Sequence, residues 1–390
     1  MARYSVNKTI AEINERIRKG CAVVLNAEEM TNAVRRMGKV QAAREIDVVT
    51  TGTFSPMCSS GMLFNIGQAE PPTVKTSRVW LNNVPAYAGL AAVDSYLGAT
   101  EPAKDDPVNK VYPGAFSYGG GHVIEDLVRG RAVHLVAEAY GTDCYPRRSV
   151  DRQVLLADLP FAELYNPRNC YQNYNAAVNM TSRSIYTYMG PLKPAMRNIN
   201  FATAGRLSPL FNDPLFRTIG FGTRIFLGGG VGYVVGAGTQ HVPNPERTER
   251  GLPLSPAGTL QLKGNLKSMN ARYLRGLSIL GYGCSLSVGV GIPIPVLNEE
   301  IAWYTGVDDS DIRMPVKDYG HDYPNGLPRI IQHVTYEELK QGEVNIQGKR
   351  VESVPMTSYT LSLEVADTLK RWIQEGTFLL SEPVEPIPAW

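Results

Sequence analysis

No apolar run in this chain reaches the roughly 18 residues that a membrane-spanning helix needs. The longest, Arg224 to Ala237, is broken by Gly228, Gly229, Gly230 and Gly232. The same punctuation recurs elsewhere: 37 glycines and 27 prolines are too many for a helical bundle and predict frequent turns and close backbone approaches. Hydrophobic residues make up 43%, enough to bury a sizeable core, and charged residues only 19%, the reverse of a disordered chain's balance. At roughly 150 residues per domain, the length corresponds to about two or three units or one large one. Together these constraints favour an α/β fold, with mixed or mainly parallel sheets, flanking helices and Gly-rich loops at strand ends.

Local patterns agree. Thr9 to Lys19 carries Ile10, Ile13 and Ile17 at helical spacing, and Ala27 to Ile46 places Met30, Val34, Met37 and Ala42 on one side of a second helix. Strand-like runs cover Cys21 to Leu25, Asp47 to Thr53 and Ala132 to Tyr140. A helix is expected from His122 to Arg129, another from Leu361 to Glu375, and a short one near Met269 to Arg275. Ile219 to Gly238 reads as an apolar strand running into a glycine loop. The Tyr/Asn-rich stretch from Leu155 to Pro214 reads as strands and long loops, and Pro383 to Trp390 as an extended, Pro-rich tail.

Charge narrows the choice of partners. The 39 basic and 37 acidic residues leave a net charge of +2, which gives no reason to expect nucleic acid or an anionic membrane. Met1 to Asn14 has no apolar core of signal-peptide length, so a cytoplasmic protein with reduced thiols is expected. The five cysteines, Cys21, Cys58, Cys144, Cys170 and Cys284, include no CxxC pair. His122, His134, His241, His321 and His333 lack HxxxH or HExxH spacing, so no metal site is expected.

Two of the cysteines share a context. Cys58 follows the strand that ends near Thr53, and Cys144 follows the strand that ends near Tyr140; ligands of open α/β sheets usually bind at such strand ends. A nucleophilic thiolate is favoured by oriented N–H donors and nearby cations. Ser59, Ser60 and Gly61 could supply donors to Cys58, and Arg147 and Arg148 stand close to Cys144. Gly119, Gly120 and Gly121 lead into a helix N-terminus and form a candidate substrate loop, whereas Gly228, Gly229 and Gly230 could cradle an anion or serve as a packing turn. His122 and His241, beside Gly-rich loops, are candidate acids or bases. No GxSxG elbow supports a serine hydrolase.

Four blocks carry a family resemblance: Asp47 to Gly61, Tyr140 to Arg147, Gly222 to Gly232 and Ser287 to Pro295. They resemble the homocysteine biosynthesis (sulfur-incorporation) family. The resemblance implies a core over residues 1–306, which could comprise two α/β halves meeting near 155–215, and a C-terminal extension over 307–390. It implies insertion of sulfur into L-aspartate semialdehyde to give L-homocysteine. By the same resemblance Cys144 is the sulfur carrier, as a persulfide, and Cys58 is the other recurrent cysteine, able to resolve it by exchange. No cofactor is then bound by this chain; sulfur comes from sulfide or a persulfide donor, and electrons from a separate ferredoxin-like iron–sulfur protein. Arg147 or Arg224 could hold the substrate carboxylate, with the glycine loops and His122 around the rest. A homo-oligomer is compatible with this reading.

Two other classes compete. A CoA-transferase-like or isomerase-like α/β enzyme would use Glu138 or Glu299 and leave the cysteines as packing. A non-catalytic sulfur- or metabolite-binding regulator would bind without turnover.

Overall fold

The fold is described by a computed structural model for residues 4–67, 74–173, 175–322, 324–326 and 328–388, so the last two residues of the expected tail lie outside the described residues. Thr9 caps the first helix, Ile10–Arg18, through a reciprocal bond with Glu12, and Ile10, Ile13 and Ile17 are buried as their spacing predicts. Asn26 caps Ala27–Glu45 in the same way with Glu29; Gly38, at φ 76°, kinks that helix. Between the two helices Cys21 precedes the strand Val24–Asn26 instead of opening it. That strand runs parallel to Val48–Thr50, which also pairs antiparallel with Pro293–Pro295.

The largest sheet has nine strands, all antiparallel in their ladders, in the order Leu274–Ile279, Gly283–Gly291, Arg224–Leu227, Gly230–Ala237, Leu260–Asn265, Ala162–Asn169, Gly61–Asn65, Asp94–Gly98. The ninth, Thr53–Pro56, pairs with Gly283–Gly291 beside this path. Every residue of Gly283–Gly291 is buried, and this central strand bonds to three others. Helices Gly120–Val128 and Tyr359–Gln374 pack on it.

Glycines set how close the first of those helices comes. A β-carbon on Gly121 would stand 2.0 Å from the Ser285 carbonyl oxygen, and one on Gly120 would stand 1.9 Å from that of Gly98. The helix begins at Gly120 rather than His122, so Gly120 and Gly121 are buried in its first turn. Gly119 caps it, with its Cα against the Cys284 thiol.

Two local expectations are corrected. Ile219 to Gly238 is not one strand: Arg224–Leu227 and Gly230–Ala237 form a hairpin whose two-residue turn is Gly228 and Gly229, at φ 59° and 94°. Two successive positive φ values match a hairpin turn to strand twist, and glycine adopts them without strain. The helix expected near Met269 to Arg275 is instead a 3-10 turn, Leu266–Ser268, followed by the strand Leu274–Ile279; pairing with the central strand overrides local propensity.

A six-stranded sheet, in the order Arg329–Thr335, Arg313–Asp318, Ala176–Val178, Asn198–Phe201, Lys349–Pro355, Glu343–Ile346, joins segments 176–201 and 313–355 over a second core containing Phe201, Phe211 and Met314. Ala176–Val178 runs parallel to Arg313–Asp318, and Asn198–Phe201 parallel to Lys349–Pro355. A four-stranded antiparallel sheet holds Val133–Ala139 between Thr76–Leu81 and Ser149–Val154. The molecule is thus an α/β fold with mixed sheets. Among the described residues no helix is long and apolar enough to cross a membrane.

The helix–strand contact gives a test of the packing. Gly121→Ala should lower the unfolding free energy by about 1–3 kcal/mol, because backbone rather than a flexible side chain must move. Urea denaturation read by circular dichroism measures it; an unchanged midpoint would refute the packing role.

Candidate active site

Where the first and second cores meet, strand ends are stitched together. The Ser358 N–H donates to the Phe54 carbonyl at 3.0 Å, the Phe54 N–H to Ser362 Oγ at 2.9 Å, and Thr357 Oγ1 to Ser55 Oγ at 3.1 Å. Because Asn198–Phe201 and Lys349–Pro355 are parallel, both chains leave the six-stranded sheet at the same edge, where the Met356 N–H bonds the Phe201 carbonyl. The C-terminal ends of Thr53–Pro56 and Ala162–Asn169 arrive at the same place.

These four ends enclose a cavity of about 300 Å³. Met57, Cys58 and Ser59 line it from the turn after Thr53–Pro56; Arg168, Cys170 and Tyr171 from the end of Ala162–Asn169 and beyond it. Thr203, Ser208 and Leu210 follow from the segment after Asn198–Phe201, and Met356 and Thr357 from the end of Lys349–Pro355. Tyr188, Gln240 and Tyr282 complete the wall. The volume lies at the small end of ligand sites, and the lining mixes apolar surface with a few polar tips.

Cys58 is held from both sides. Ser285 Oγ, on the central strand, stands 3.2 Å from the half-buried Cys58 sulfur, and the Met57 N–H bonds the Leu286 carbonyl at 2.8 Å. On the other side Ser59 Oγ bonds Asn166 Oδ1 and the Arg168 carbonyl, each at 2.9 Å, while Asn166 Nδ2 donates to Ser60 Oγ at 2.8 Å. The turn therefore has little freedom to move the thiol.

Arg168 is the only cationic side chain in the lining, and among the described residues no carboxylate is ion-paired to it. Among the described residues the lining contains no aspartate, glutamate or histidine. Tyr171 donates its hydroxyl to Gln240 Oε1; burial pushes that hydroxyl above the usual tyrosine value, and the Arg168 charge opposes the rise. It is thus a protonated donor at neutral pH.

Of the candidate site residues read from the sequence, Cys58 and its neighbour Ser59 line the cavity. Cys144 is exposed on the loop after Val133–Ala139, with Thr142 Oγ1 3.5 Å from its sulfur. Arg147 beside it donates to the Ser149 carbonyl at 2.9 Å. Arg224 stacks on the Phe378 ring at 4.5 Å. Gly119, Gly120 and Gly121 pack the helix as described, and Gly228, Gly229 and Gly230 lie against Met269, Asn270 and Ser268. Glu138 pairs with Arg78 at 3.0 Å, and Glu299 accepts the Ser5 and Val6 N–H groups, so neither glutamate reaches the cavity.

Arg168, Cys170 and Tyr171 escaped the sequence reading because the Tyr/Asn-rich stretch has no period to place them. The nearest signal was Asn166 and Asn169 flanking a strand end, which only the fold turns into a cavity wall.

His122 stacks on Tyr118 at 5.5 Å, and its Nδ1 has no partner among the described residues. Burial lowers its pKa, opposed by Glu125 and Asp126. A histidine whose folded pKa is depressed contributes stability that is complete above its unfolded value and lost as pH falls through the folded one. Unfolding free energy should therefore drop between about pH 7.5 and about pH 5.5, and His122→Gln should shrink that drop. Denaturant titrations at the two pH values check it; an unchanged difference would show that His122 is not the group.

Comparison with known proteins agrees over nearly the whole chain. L-aspartate semialdehyde sulfurtransferase of Methanocaldococcus jannaschii is 50% identical over 395 residues, which span 98% of this chain and 74% of the relative. The protein of the same name from Methanosarcina acetivorans is 47% identical over 385 residues, 98% of this chain and 72% of the relative. An uncharacterized protein of Methanothermobacter thermautotrophicus is 31% identical over 351 residues, 87% and 74% respectively. No solved structure matches. The family described as homocysteine biosynthesis enzyme, sulfur-incorporation, matches residues 22–380, and the chain belongs to it.

Proposed function

We propose that this chain is an L-aspartate semialdehyde sulfurtransferase that makes L-homocysteine in the Cys58 cavity. The observation that carries the reading is the meeting of a fixed thiol, Cys58, with an unpaired cation, Arg168, in one small cavity without a carboxylate. Two relatives that match 98% of the chain bear that activity in their names.

The geometry supports the following roles. Arg168 receives the substrate carboxylate in a charge-assisted pair. With substrate bound, the Tyr171 hydroxyl turns from Gln240 Oε1 to donate to the aldehyde oxygen, stabilising negative charge as a sulfur nucleophile adds to the carbon. Cys58 forms the covalent bond to the incoming or incorporated sulfur. Converting an aldehyde and sulfide to a thiol and water takes up two electrons and two protons. An external iron–sulfur protein is the proposed source of the electrons. Sulfur delivered at the persulfide level would need two electrons more.

Cys144 keeps a distinct place in this scheme. Its thiol is exposed on a polar loop, which suits receipt of sulfur from a donor protein as a persulfide. Among the described residues the cavity lining holds no carboxylate, which counts against the glutamate-based alternatives, and a substrate-sized cavity with a fixed thiol favours turnover over simple binding.

Homocysteine formation from aspartate semialdehyde and sulfide, with a reductant present, tests the assignments. Cys58→Ala should lower kcat by a factor on the order of 10³ or more; full activity would remove Cys58 from the chemistry. Arg168→Met should raise KM for aspartate semialdehyde by roughly 10–100-fold, the value of a lost charged hydrogen bond. An unchanged KM would place the carboxylate elsewhere. Cys144→Ala that works with free sulfide but not with a protein persulfide donor would assign Cys144 to sulfur receipt; full activity with both would exclude it.

A further inference from the structure

The cavity holds a second thiol that the reading above leaves without a task. We propose that Cys170 is the releasing thiol of the reaction: it attacks the Cys58 sulfur, frees homocysteine and leaves a Cys58–Cys170 disulfide inside the cavity. This inference rests on the assignment of the Cys58 cavity as the sulfur-incorporation site.

Three observations carry it. Cys58 and Cys170 line the same cavity of about 300 Å³, whereas Cys21, Cys144 and Cys284 do not. The turns that bear them are tied directly, because Ser59, next to Cys58, bonds the carbonyl of Arg168, two residues before Cys170. The backbone at Cys170 is also in the left-handed region, at φ 53°, a conformation that costs energy for any residue but glycine.

The surroundings impose that conformation. The Cys170 N–H donates to Asn169 Oδ1 at 2.6 Å. The fully buried Gln172 side chain anchors the next turn, donating to the Leu210 and Pro214 carbonyls and accepting the Gly258 N–H. Leu210 is itself part of the cavity wall, so the brace for Cys170 and the wall of the site are one structure. Burial pushes the Cys170 thiol well above the usual cysteine value, so it enters the reaction carrying its proton.

The sequence balances in atoms and electrons. Sulfide adds to the aldehyde and water leaves, giving a thioaldehyde. The Cys58 sulfur bonds to the thioaldehyde sulfur; the carbon–sulfur π pair moves to carbon, which takes a proton, and homocysteine is then joined to Cys58 through a mixed disulfide. The Cys170 sulfur attacks Cys58 Sγ, the bond from Cys58 to homocysteine breaks, and the Cys170 proton goes to the departing homocysteine sulfur. The two thiols have supplied both electrons. An external electron donor returns two electrons and two protons to the disulfide before the next turnover.

The test is a single turnover. The full chain is reduced, freed of reductant, mixed with aspartate semialdehyde and one equivalent of sulfide, quenched in acid, alkylated and mapped by peptide mass spectrometry. The expected result is up to one homocysteine per chain, matched by loss of two thiols and a peptide pair joined Cys58 to Cys170. In Cys170→Ala, homocysteine should remain joined to Cys58, and its free yield should fall about tenfold or more. A wild-type disulfide joining Cys58 to Cys144, or a wild-type yield from Cys170→Ala with no adduct, would overturn the role of Cys170 and leave the proposed function standing. Wild-type yield from Cys58→Ala would instead overturn the proposed function. The wild-type map needs no substitution, so it decides the matter even if Cys170→Ala folds poorly.

Discussion

At Gly121 the backbone of helix Gly120–Val128 lies against the Ser285 carbonyl with no room for a side chain, and the geometry of the site follows from that contact. The helix presses on the central strand Gly283–Gly291, all of which is buried. Ser285 itself and the residue after it bond the Cys58 turn, through Ser285 Oγ to the sulfur and the Leu286 carbonyl to Met57. The same strand pairs with Thr53–Pro56, which delivers the chain to Cys58. Position passes from a glycine on one face of a sheet to a thiol at its edge through backbone pairing and one side-chain contact, Ser285 Oγ to the Cys58 sulfur.

The chemical character of the site comes from what its walls lack as much as from what they hold. Among the described residues no carboxylate in the lining offsets the Arg168 charge, so the cavity wall carries net positive charge. Proton transfer falls to hydroxyl and thiol groups. Tyr171, kept protonated by burial, and Cys58, beside Ser285 Oγ, are of that kind. Sulfur chemistry suits such a site, because thiols exchange bonds and protons without a strong base.

Much of the fold was legible in the sequence because its signals are local. The spacing of Ile10, Ile13 and Ile17, the apolar side of the helix Ala27–Glu45 and the turn at Cys58 depend on neighbours within a few residues. The site was legible only in part. Cys58 was visible because it follows a strand directly, and Cys144 drew equal attention for the same reason, although it lies outside the cavity lining. Arg168 and Cys170 needed knowledge of which strand ends converge. That convergence is set by pairings such as Glu163 with Leu63 and Asn198 with Glu352, which no periodicity within either segment reports. The glycines left two readings open: a pattern that suits anion binding also suits close backbone packing, and the atoms facing each glycine show the packing.

The ladder between Asn198–Phe201 and Lys349–Pro355 also has a kinetic side. One wall of the cavity, Met356 and Thr357, is held in place only when a late segment of the chain has closed a very long loop back onto an early one. Contacts of such sequence separation form slowly, since loop entropy is lost before the pairing compensates it. On the ribosome, the nine-stranded sheet cannot be finished before residue 291 has emerged, nor the cavity before residue 357. A nascent chain therefore carries its thiols without the enclosure that directs them until residue 357 has emerged and paired.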